Sequence, residues 1–383
     1  MQNPARLQSA IDILDSVITA AREGGAAADT LAARWFAAHR FAGSKDKAAI
    51  RAHLYAAIRF TADCPVSGRA ALLGLAETER PDLLPLFDGS TYAPALPTPD
   101  EPRAAPSLAP DWMQPLLADR FGADAPRQLA ALIARAPVDL RVQRGDAAAI
   151  ATELDASPIP GLPAGLRLAT PVPLEQHPLM LDGSIAVQDA GSQHVVRFAG
   201  AQPGMDVLDL CAGAGGKTLA LAAAMQGQGR IIASDSDRGR LAAMAPRLNR
   251  AGVAHMVETR LLDPGRESEM LADLAAAADL VLVDAPCSGT GTWRRNPELR
   301  WRLTPERLAQ LVAAQSRLID IGLELVKPGG RLVYAVCSVL PAEGLAQAEA
   351  AAARHGLKLA AHQAFTPADD GCDGFFVATI VRE

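Results

Sequence analysis

The chain has 383 residues, which is too long for one ordinary domain and predicts two or three. Its 49% apolar and 21% charged residues are typical of a globular protein, and the sequence has no apolar run of about 18 residues and no signal-peptide pattern in residues 1–8, so we expect a cytoplasmic protein without a membrane span. The net charge of −6 weakly disfavours a nucleic-acid partner, so RNA binding would require a local basic surface.

Residues 1–80 are predicted to form an all-helical domain, because apolar side chains recur at helical spacing between residues 5 and 76. Between residues 30 and 60 the cationic side chains outnumber the acidic ones. One helical face could therefore contact a polyanion, although a solvated helix surface explains the cations about as well. The cations are Arg34, Arg40, Lys45, Lys47, Arg51 and Arg59.

The middle of the chain is predicted to be less regular. Residues 81–105 are rich in proline and lack periodicity, which indicates a linker. Residues 106–180 are interpreted as a small α+β module, with a helix over 111–134, a strand over 137–142 and a short helix over 146–154.

Residues 181–383 alternate between strand and helix patterns. With helices between most of them, strands are predicted at 205–210, 230–235, 253–258, 279–284, 331–336 and 374–381. This alternation predicts a doubly wound α/β sheet, in which ligands bind at the carboxyl ends of the strands.

A strand that breaks into a glycine-rich turn and opens a helix lies at 206–218. The free N–H groups at such a helix start face polar or anionic ligands. A Walker phosphate loop would need glycine at Cys211, and a dinucleotide turn would need glycine at Thr218. The looser turn of S-adenosylmethionine enzymes remains, beside the alternative of a glycine turn without any ligand.

Aspartates lie at or after the ends of the second and third predicted strands of the sheet. Asp235 ends the second strand about twenty residues after the glycine turn, where a carboxylate can accept the hydroxyl groups of a ribose. The alternative role is a helix N-cap, since Asp235 and Asp237 both precede a helix. Asp263 follows the third strand and is a candidate for the adenine end of the cofactor, although a loop aspartate is often only a turn former.

Two cysteines follow strands that are neighbours in the expected sheet. Cys287 follows strand 279–284 and Cys337 follows strand 331–336, so both thiols should lie beside the cofactor turn. A thiol can add to carbon 6 of a pyrimidine and make carbon 5 nucleophilic, Asp284 can stabilise the protonated ring nitrogen, and the second thiol can help to end the cycle. The alternative is that both cysteines are buried apolar fillers.

The five cysteines form no CxxC pair and have no neighbouring histidine, so no metal site is expected, and the cytosolic composition disfavours a disulfide.

Five segments resemble signature motifs of the Nop/Sun family of RNA cytosine-5 methyltransferases: 187–193 (VQDAGSQ), 208–218 (LDLCAGAGGKT), 284–298 (DAPCSGTGTWRRNPE), 333–343 (VYAVCSVLPAE) and 373–376 (DGFF). The resemblance implies a mostly parallel seven-stranded sheet and an enzyme that transfers a methyl group from S-adenosylmethionine to carbon 5 of a cytosine in RNA. The target base is expected to be unpaired or extruded, because it must reach both thiols.

The resemblance also implies roles for individual residues. Cys337 would be the nucleophile and Cys287 the thiol that helps to release the product, with Lys217 and Asp284 as polar partners in the active site. The residues around the cofactor would be Cys211, Ala212, Gly213, Ala214, Gly215, Gly216, Lys217, Asp235, Asp263 and Asp284. The family commonly has Ala-Pro where this chain has Gly213-Ala214, and the loss of the proline makes the turn less rigid.

Upstream, residues 43–50 (GSKDKAAI) and 137–142 (PVDLRV) resemble the bacterial ribosomal RNA members of the family, of the RsmB type. These members carry a NusB-like helical domain and a small connecting module before the catalytic domain. The resemblance implies ribosomal RNA as the substrate, and we expect a monomer that binds RNA partly through its helical domain.

Residues 293–302 interleave four arginines with two tryptophans. We predict that Arg294 and Arg295 bind RNA and that at least one tryptophan lies in the core; the alternative is a loop whose arginines only face water. For the whole chain, the alternatives are a methyltransferase of the same fold that acts on tRNA, a protein or a small molecule, and a non-catalytic RNA-binding factor.

Overall fold

The computed structural model describes residues 1–170 and 172–382, which divide into two compact units. The first, here called the helical unit, contains Met1–Ala134 and Thr292–Pro305, and the second, the α/β unit, contains Arg135–Gly291 and Glu306–Glu383. Residues 111–134 therefore lie in the helical unit and residues 135–180 in the α/β unit, whereas the sequence placed them together in one connecting module. No helix of the described residues is long and apolar enough to span a membrane.

The α-helices of the described residues are, in chain order, α1 (Asn3–Glu23), α2 (Ala28–Ala38), α3 (Ser44–Phe60), α4 (Gly68–Thr78), α5 (Gln114–Phe121), α6 (Ala125–Ile133), α7 (Ala147–Glu153), α8 (Pro178–Leu181), α9 (Ala190–Ala199), α10 (Gly216–Ala224), α11 (Arg238–Ala251), α12 (Glu267–Met270), α13 (Leu299–Arg302), α14 (Pro305–Leu325), α15 (Leu345–Arg354) and α16 (Pro367–Asp370). The strands are β1 (Asp139–Val142), β2 (Ala156–Pro158), β3 (Gly165–Leu168), β4 (Ile185–Val187), β5 (Asp206–Asp209), β6 (Arg230–Asp235), β7 (Val257–Leu261), β8 (Ala278–Asp284), β9 (Val326–Val336), β10 (Lys358–Phe365) and β11 (Phe375–Val381).

The helical unit is built on α1, α3 and α4, which pack against one another. Their apolar residues face a single core, because they recur at intervals of three and four residues; its fully buried members include Leu7, Leu14, Ile50, Leu54 and Leu72. The start of α3 is fixed by Asp46, whose carboxylate accepts a hydrogen bond of 3.1 Å from the Gly43 N–H.

The helix predicted over 111–134 is divided into α5 and α6. Gly122 lies between them with φ at 55°, a left-handed value that glycine adopts at little steric cost. The stretch is helical as predicted, but it forms two α-helices because the chain turns at Gly122.

Residues 292–305 lie between two segments of the α/β unit in the sequence, but they belong to the helical unit and complete its core. The Trp301 side chain is buried in the same cluster as α1, α3 and α4, and its Nε1 donates to the Thr61 carbonyl at 2.9 Å. Arg300 is 1% exposed, and its Nη2 donates to the Ile58 carbonyl at 2.5 Å. The adjacent Arg302 donates to the carbonyls of Gly25 and Ala26.

The α/β unit contains a seven-stranded sheet with the order β10-β11-β9-β8-β5-β6-β7. The five strands from β9 to β7 are parallel, β11 is antiparallel to β9, and β10 is antiparallel to β11. Since β5 pairs with both β6 and β8, the chain order reverses there, and a ligand crevice is expected at the carboxyl ends of these strands. The arrangement confirms the predicted doubly wound fold.

Two strands of this sheet differ from the prediction. The third strand was predicted at 253–258 but lies at Val257–Leu261, because Ala254–Met256 form a 3₁₀ turn. Strand β10 was not predicted: its side chains are mostly exposed and include three alanines, so its extended form comes from pairing with β11 along one edge.

A smaller antiparallel sheet with the order β2-β3-β1-β4 precedes the large one in the same unit. Asp139 on β1 is 1% exposed and joins the two parts, since its Oδ2 accepts from the Ala190 N–H at the start of α9. The same carboxylate pairs with Arg167, whose Nη2 also donates to the Gly371 carbonyl. These contacts hold the small sheet beside the carboxyl-terminal motif at 373–376.

Candidate active site

The glycine turn joins β5 to α10 and leaves backbone groups open. Gly213 and Gly215 have φ at 55° and 80°, so the turn uses two left-handed residues. A side chain at Gly213 or Gly216 would meet no atom within 4 Å, whereas one at Gly215 would collide with Met244 at 2.5 Å. The turn is therefore supported from behind at Gly215 and faces open space at Gly213 and Gly216.

Asp235 lies at the end of β6 and is 9% exposed. One carboxylate oxygen accepts from the Gly213 N–H at 2.8 Å and the other from the Asp237 N–H at 2.8 Å. The N-cap of α11 is Asp237, whose Oδ1 accepts from the Arg240 N–H at 3.0 Å. Each oxygen of Asp235 keeps a second lone pair, which suits the predicted role toward ribose hydroxyls. Asp263 is exposed after β7, and its Oδ2 lies 3.7 Å from Arg266 Nη1.

Asp209, the last residue of β5, is a buried acid that the sequence interpretation did not select. It is 0% exposed, its Oδ2 accepts from Thr218 Oγ1 at 2.7 Å, and its Oδ1 has no partner among the described residues. Burial raises the pKa of Asp209 to about 7. A signal was available, because the acid closes a buried apolar strand directly before the glycine turn.

Lys217 and Asp284 form an ion pair across the crevice, between the start of α10 and the end of β8. Their Nζ and Oδ2 atoms are 2.7 Å apart, and the two side chains are 11% and 28% exposed. Burial alone would lower the pKa of Lys217, but the Asp284 carboxylate outweighs it and the net pKa is raised. Lys217 therefore remains a cation, and it also interacts electrostatically with Cys337.

The two cysteines predicted to share a site lie in contact. Cys287 follows β8, Cys337 follows β9, and their Sγ atoms are 3.3 Å apart. Strands β8 and β9 are parallel neighbours in which Asp284 pairs with Ala335, so the two turns leave the sheet at the same level. The hydrogen bond with Cys337, burial and the nearby Glu343 carboxylate raise the pKa of Cys287 well above its usual value. Cys287 is therefore held as a thiol.

Cys211 lies in the wall of the glycine turn and is partly buried. Burial and the nearby carboxylates of Asp284 and Asp209 raise its pKa well above the usual value. A neutral thiol at this position contributes packing rather than nucleophilic chemistry.

The residues predicted to bind RNA lie in the helical unit. Arg294 is 5% exposed, Arg295 is half-buried, and Arg59 Nη2 donates to the Arg294 carbonyl at 3.2 Å. Trp293 and Trp301 are 0% and 6% exposed, so both tryptophans of the segment are in the core.

The donor set around the crevice fits S-adenosylmethionine. Gly215, the N-cap of α10, has no side chain to occupy the helix N–H groups, which leaves them for a carboxylate. Asp235 supplies acceptors for a ribose at one end, and the Lys217–Asp284 pair and the two thiols lie at the other. In the described part of the chain, no group of three or more His, Cys, Asp or Glu side chains is placed to hold a metal ion.

Comparisons with known proteins match this architecture. A family model described as 16S rRNA methyltransferase RsmB/F matches residues 200–381. The crystal structure of PH0851 covers the whole chain with a TM-score of 0.79 at 21% sequence identity, which shows the shared fold. A methyltransferase homolog protein from Pyrococcus horikoshii covers 70% of this chain and 94% of its own, with a TM-score of 0.63 at 26% identity.

Sequence relatives point to the same family. A probable ribosomal RNA small subunit methyltransferase B from Synechocystis is 37% identical over 251 residues, which cover 63% of this chain and 55% of the relative. The chain thus spans about half the length of this relative. A ribosomal RNA small subunit methyltransferase B from Salmonella paratyphi B is 32% identical over 291 residues, or 72% of this chain and 67% of the relative. The chain therefore belongs to the RsmB/F family of 16S ribosomal RNA methyltransferases, whose cofactor is S-adenosylmethionine.

Proposed function

We propose that this protein methylates carbon 5 of a cytosine in ribosomal RNA, through a covalent bond between Cys337 and carbon 6 of the base. The observation that carries the proposal is the 3.3 Å contact between the Cys287 and Cys337 sulfur atoms, beside the ion pair of Lys217 and Asp284. S-adenosylmethionine, when bound, supplies an electrophilic methyl group. The glycine turn at 211–217 and the acids Asp235, Asp263 and Asp284 would hold this cofactor.

Cys337 is the nucleophile in this proposal. Its sulfur forms a bond to carbon 6, the electron pair of the carbon 5–carbon 6 double bond moves toward ring nitrogen N3, and N3 takes a proton that balances the one lost by the thiol. The Lys217 ammonium, which is paired with Asp284, interacts electrostatically with Cys337. Asp284 stabilises the protonated N3, so carbon 5 becomes enamine-like and nucleophilic.

Cys287 acts at the end of the cycle. Once carbon 5 is methylated, its remaining proton passes to water, the carbon 5–carbon 6 double bond re-forms, and the bond from Cys337 to carbon 6 breaks with its electrons returning to sulfur. The Cys337 thiolate then takes up the proton that protonated N3 releases. Because its raised pKa keeps Cys287 as a thiol, it can donate a hydrogen bond to the departing sulfur.

The substrate is proposed to be single-stranded or extruded ribosomal RNA, met in the cytoplasm by a monomeric enzyme. A base inside a helix cannot reach two thiols at the edge of a sheet, so it must leave the stack. The RNA is proposed to contact Arg295 and the exposed cations of α2 and α3. Arg294 remains a predicted RNA contact, and its low exposure means that its neighbours would have to move for it to reach a phosphate.

Two cysteine substitutions test the proposal with radiolabelled S-adenosylmethionine and ribosomal RNA. Cys337→Ala removes the nucleophile and is expected to abolish methyl transfer. Cys287→Ala leaves the nucleophile but removes the thiol that assists its release, so a covalent protein–RNA adduct is expected to accumulate on denaturing gels.

The matched control is Cys64→Ala, which removes a partly buried thiol from the helical unit and should leave transfer unchanged. Normal transfer by Cys337→Ala would exclude the covalent mechanism. Transfer that survives ribonuclease treatment of the substrate would exclude RNA as the acceptor.

A further inference from the structure

Glu343 is a fully buried carboxylate that contacts the turns of both active-site cysteines. It is 0% exposed and lies six positions after Cys337. Four donors reach it: the Ser288 N–H at 2.8 Å, Gln315 Nε2 at 3.0 Å, Ser338 Oγ at 2.6 Å and the Ser288 hydroxyl. None of these donors is a cation, so the carboxyl group is held by neutral hydrogen-bond donors.

The two serine donors show which parts of the chain the Glu343 carboxylate connects. Ser288 immediately follows Cys287, and Ser338 immediately follows Cys337. The two serine hydroxyls also contact each other at 3.3 Å, and Thr290 Oγ1 lies 3.0 Å from Ser338 Oγ. One carboxylate therefore joins the residue after each cysteine, on two turns that are 50 positions apart in the chain.

Two further contacts fix Glu343 itself. The Tyr334 hydroxyl on β9 donates to the Glu343 carbonyl at 2.5 Å. Gln315 on α14 bonds the Glu343 carboxylate, and the same Nε2 also donates to the Pro286 carbonyl, one residue before Cys287. The carboxylate is thus held from a strand and from a helix, so it can serve as a fixed reference for both turns.

We propose that Glu343 is a positioning residue that sets the distance between Cys287 and Cys337 by binding both cysteine turns through one buried carboxylate. Only the expected effect of Glu343 on methyl transfer rests on the proposed function; its effect on the distance between the two sulfur atoms does not. Without the four-donor network, the turns after β8 and β9 have fewer contacts that hold the two sulfur atoms together. A displacement of about 1 Å in such a site costs roughly 10²-fold in rate.

The variant Glu343→Gln tests the role. It keeps the shape of the side chain but replaces one acceptor oxygen by an amide that donates, so at least one of the four donors loses its partner. The matched control is Glu267→Gln in the same unit: Glu267 is 6% exposed, but it pairs with Arg317 and accepts from the Gly265 N–H, away from both cysteine turns.

The first readout does not depend on methyl transfer. Dibromobimane bridges two nearby thiols, with each sulfur displacing one bromide and losing one proton, and it becomes fluorescent when both bonds have formed. We expect Glu343→Gln to bridge Cys287 and Cys337 at least tenfold more slowly than wild type and Glu267→Gln, with Cys287→Ala as background. Removal of the nearby negative charge by itself would favour the Cys287 thiolate and speed its alkylation, so slower bridging reports lost geometry.

The second readout is catalytic. Glu343→Gln is expected to lower kcat by about 10²-fold while leaving the KM for S-adenosylmethionine unchanged, because the hydrogen bonds of Glu343 go to Ser288, Gln315, Ser338 and Tyr334 and not to the glycine turn. If Glu343→Gln does not fold, Ser288→Ala and Ser338→Ala each remove one hydroxyl donor, and each is expected to slow bridging severalfold.

The outcomes separate this inference from the proposed function. A folded Glu343→Gln protein that bridges its thiols at the control rate overturns the positioning role, even if its turnover falls. Slower bridging in Glu343→Gln supports that role even if the wild-type protein transfers no methyl group to RNA, a result that would overturn the proposed function alone.

Discussion

Asp209 is the residue whose ionisation should set the pH dependence of stability in the α/β unit. An aspartate in an unfolded chain titrates near 3.8, and burial raises the pKa of folded Asp209 to about 7. Between these values the folded protein binds the proton more tightly than the unfolded chain does. The free energy of unfolding should therefore fall as the pH rises from about 4 to 7 and stay lower above that range.

The variant Asp209→Asn tests this effect. An amide resembles the protonated acid and does not ionise. The free energy of unfolding of the variant, relative to that of wild type, should therefore increase from pH 5 to pH 8 by an amount on the order of a few kcal/mol. The measurement is urea unfolding of the cofactor-free protein, followed by circular dichroism. A constant difference between the two proteins across this range would show that Asp209 is ionised throughout.

The sequence predicted that the two cysteines lie close together, but not the buried network behind them. Cys287 and Cys337 were paired correctly because each follows a strand of a parallel sheet, and the carboxyl ends of such strands meet at one edge. Glu343 was quoted only as part of a motif, since nothing in its spacing shows that it would contact Ser288. A buried network between distant turns depends on the packed structure, which sequence periodicity does not encode.

At the scale of secondary-structure elements, α13 could not be assigned to its unit from its position in the chain. Strand β6 matches its predicted bounds of 230–235, because its apolar run has clear ends. Residues 292–305 follow the Cys287 turn in sequence, yet they supply Trp301 to the core of the helical unit. The apolar spacing of α1, α3 and α4 gave no indication that their core was incomplete.

Trp301→Ala should therefore destabilise the helical unit. The change removes a buried side chain and its hydrogen bond to the Thr61 carbonyl, and truncation of a core tryptophan costs about 3–5 kcal/mol. All four tryptophans of the chain lie in this unit, so the fluorescence of the remaining three reports its unfolding in urea. The matched control is Trp112→Ala, because Trp112 is only half-buried and should shift the midpoint less.

At the scale of the whole molecule, charge is distributed unevenly. The chain carries a net charge of −6, yet residues 30–60 contain six cations and a single acid, Asp46. That acid is already paired with Arg6 and the amino terminus. Beside the cations, Trp35 stacks on His39 with ring centroids 3.9 Å apart, and Phe41 is 68% exposed. Cations beside aromatic rings that are at least partly exposed suit a nucleic acid.

Reversing the charge of four exposed cations, Arg34, Arg40, Lys45 and Arg51, should weaken RNA binding at low salt. Each phosphate contact that is lost should also reduce the slope of log affinity against log salt by about 1. Filter binding across a salt series measures both quantities. As a control, the exposed Arg354 and Lys358 on the α/β unit are reversed in the same way, and an equal loss of binding per reversed charge in the two variants would show that only total charge matters.

The contribution of residues 292–305 to the helical unit also affects the timing of folding during synthesis. A domain at the amino terminus usually folds first, as soon as it leaves the ribosome. Here the chain must grow from residue 134 to beyond residue 301 before Trp301 can enter that core, a delay of roughly 10–30 s at about 5–20 residues per second. During this interval α1, α3 and α4 have an unfinished apolar face. In a nascent chain stalled near residue 290, chaperones should contact these three helices, and a chain stalled beyond residue 340 should lose that contact.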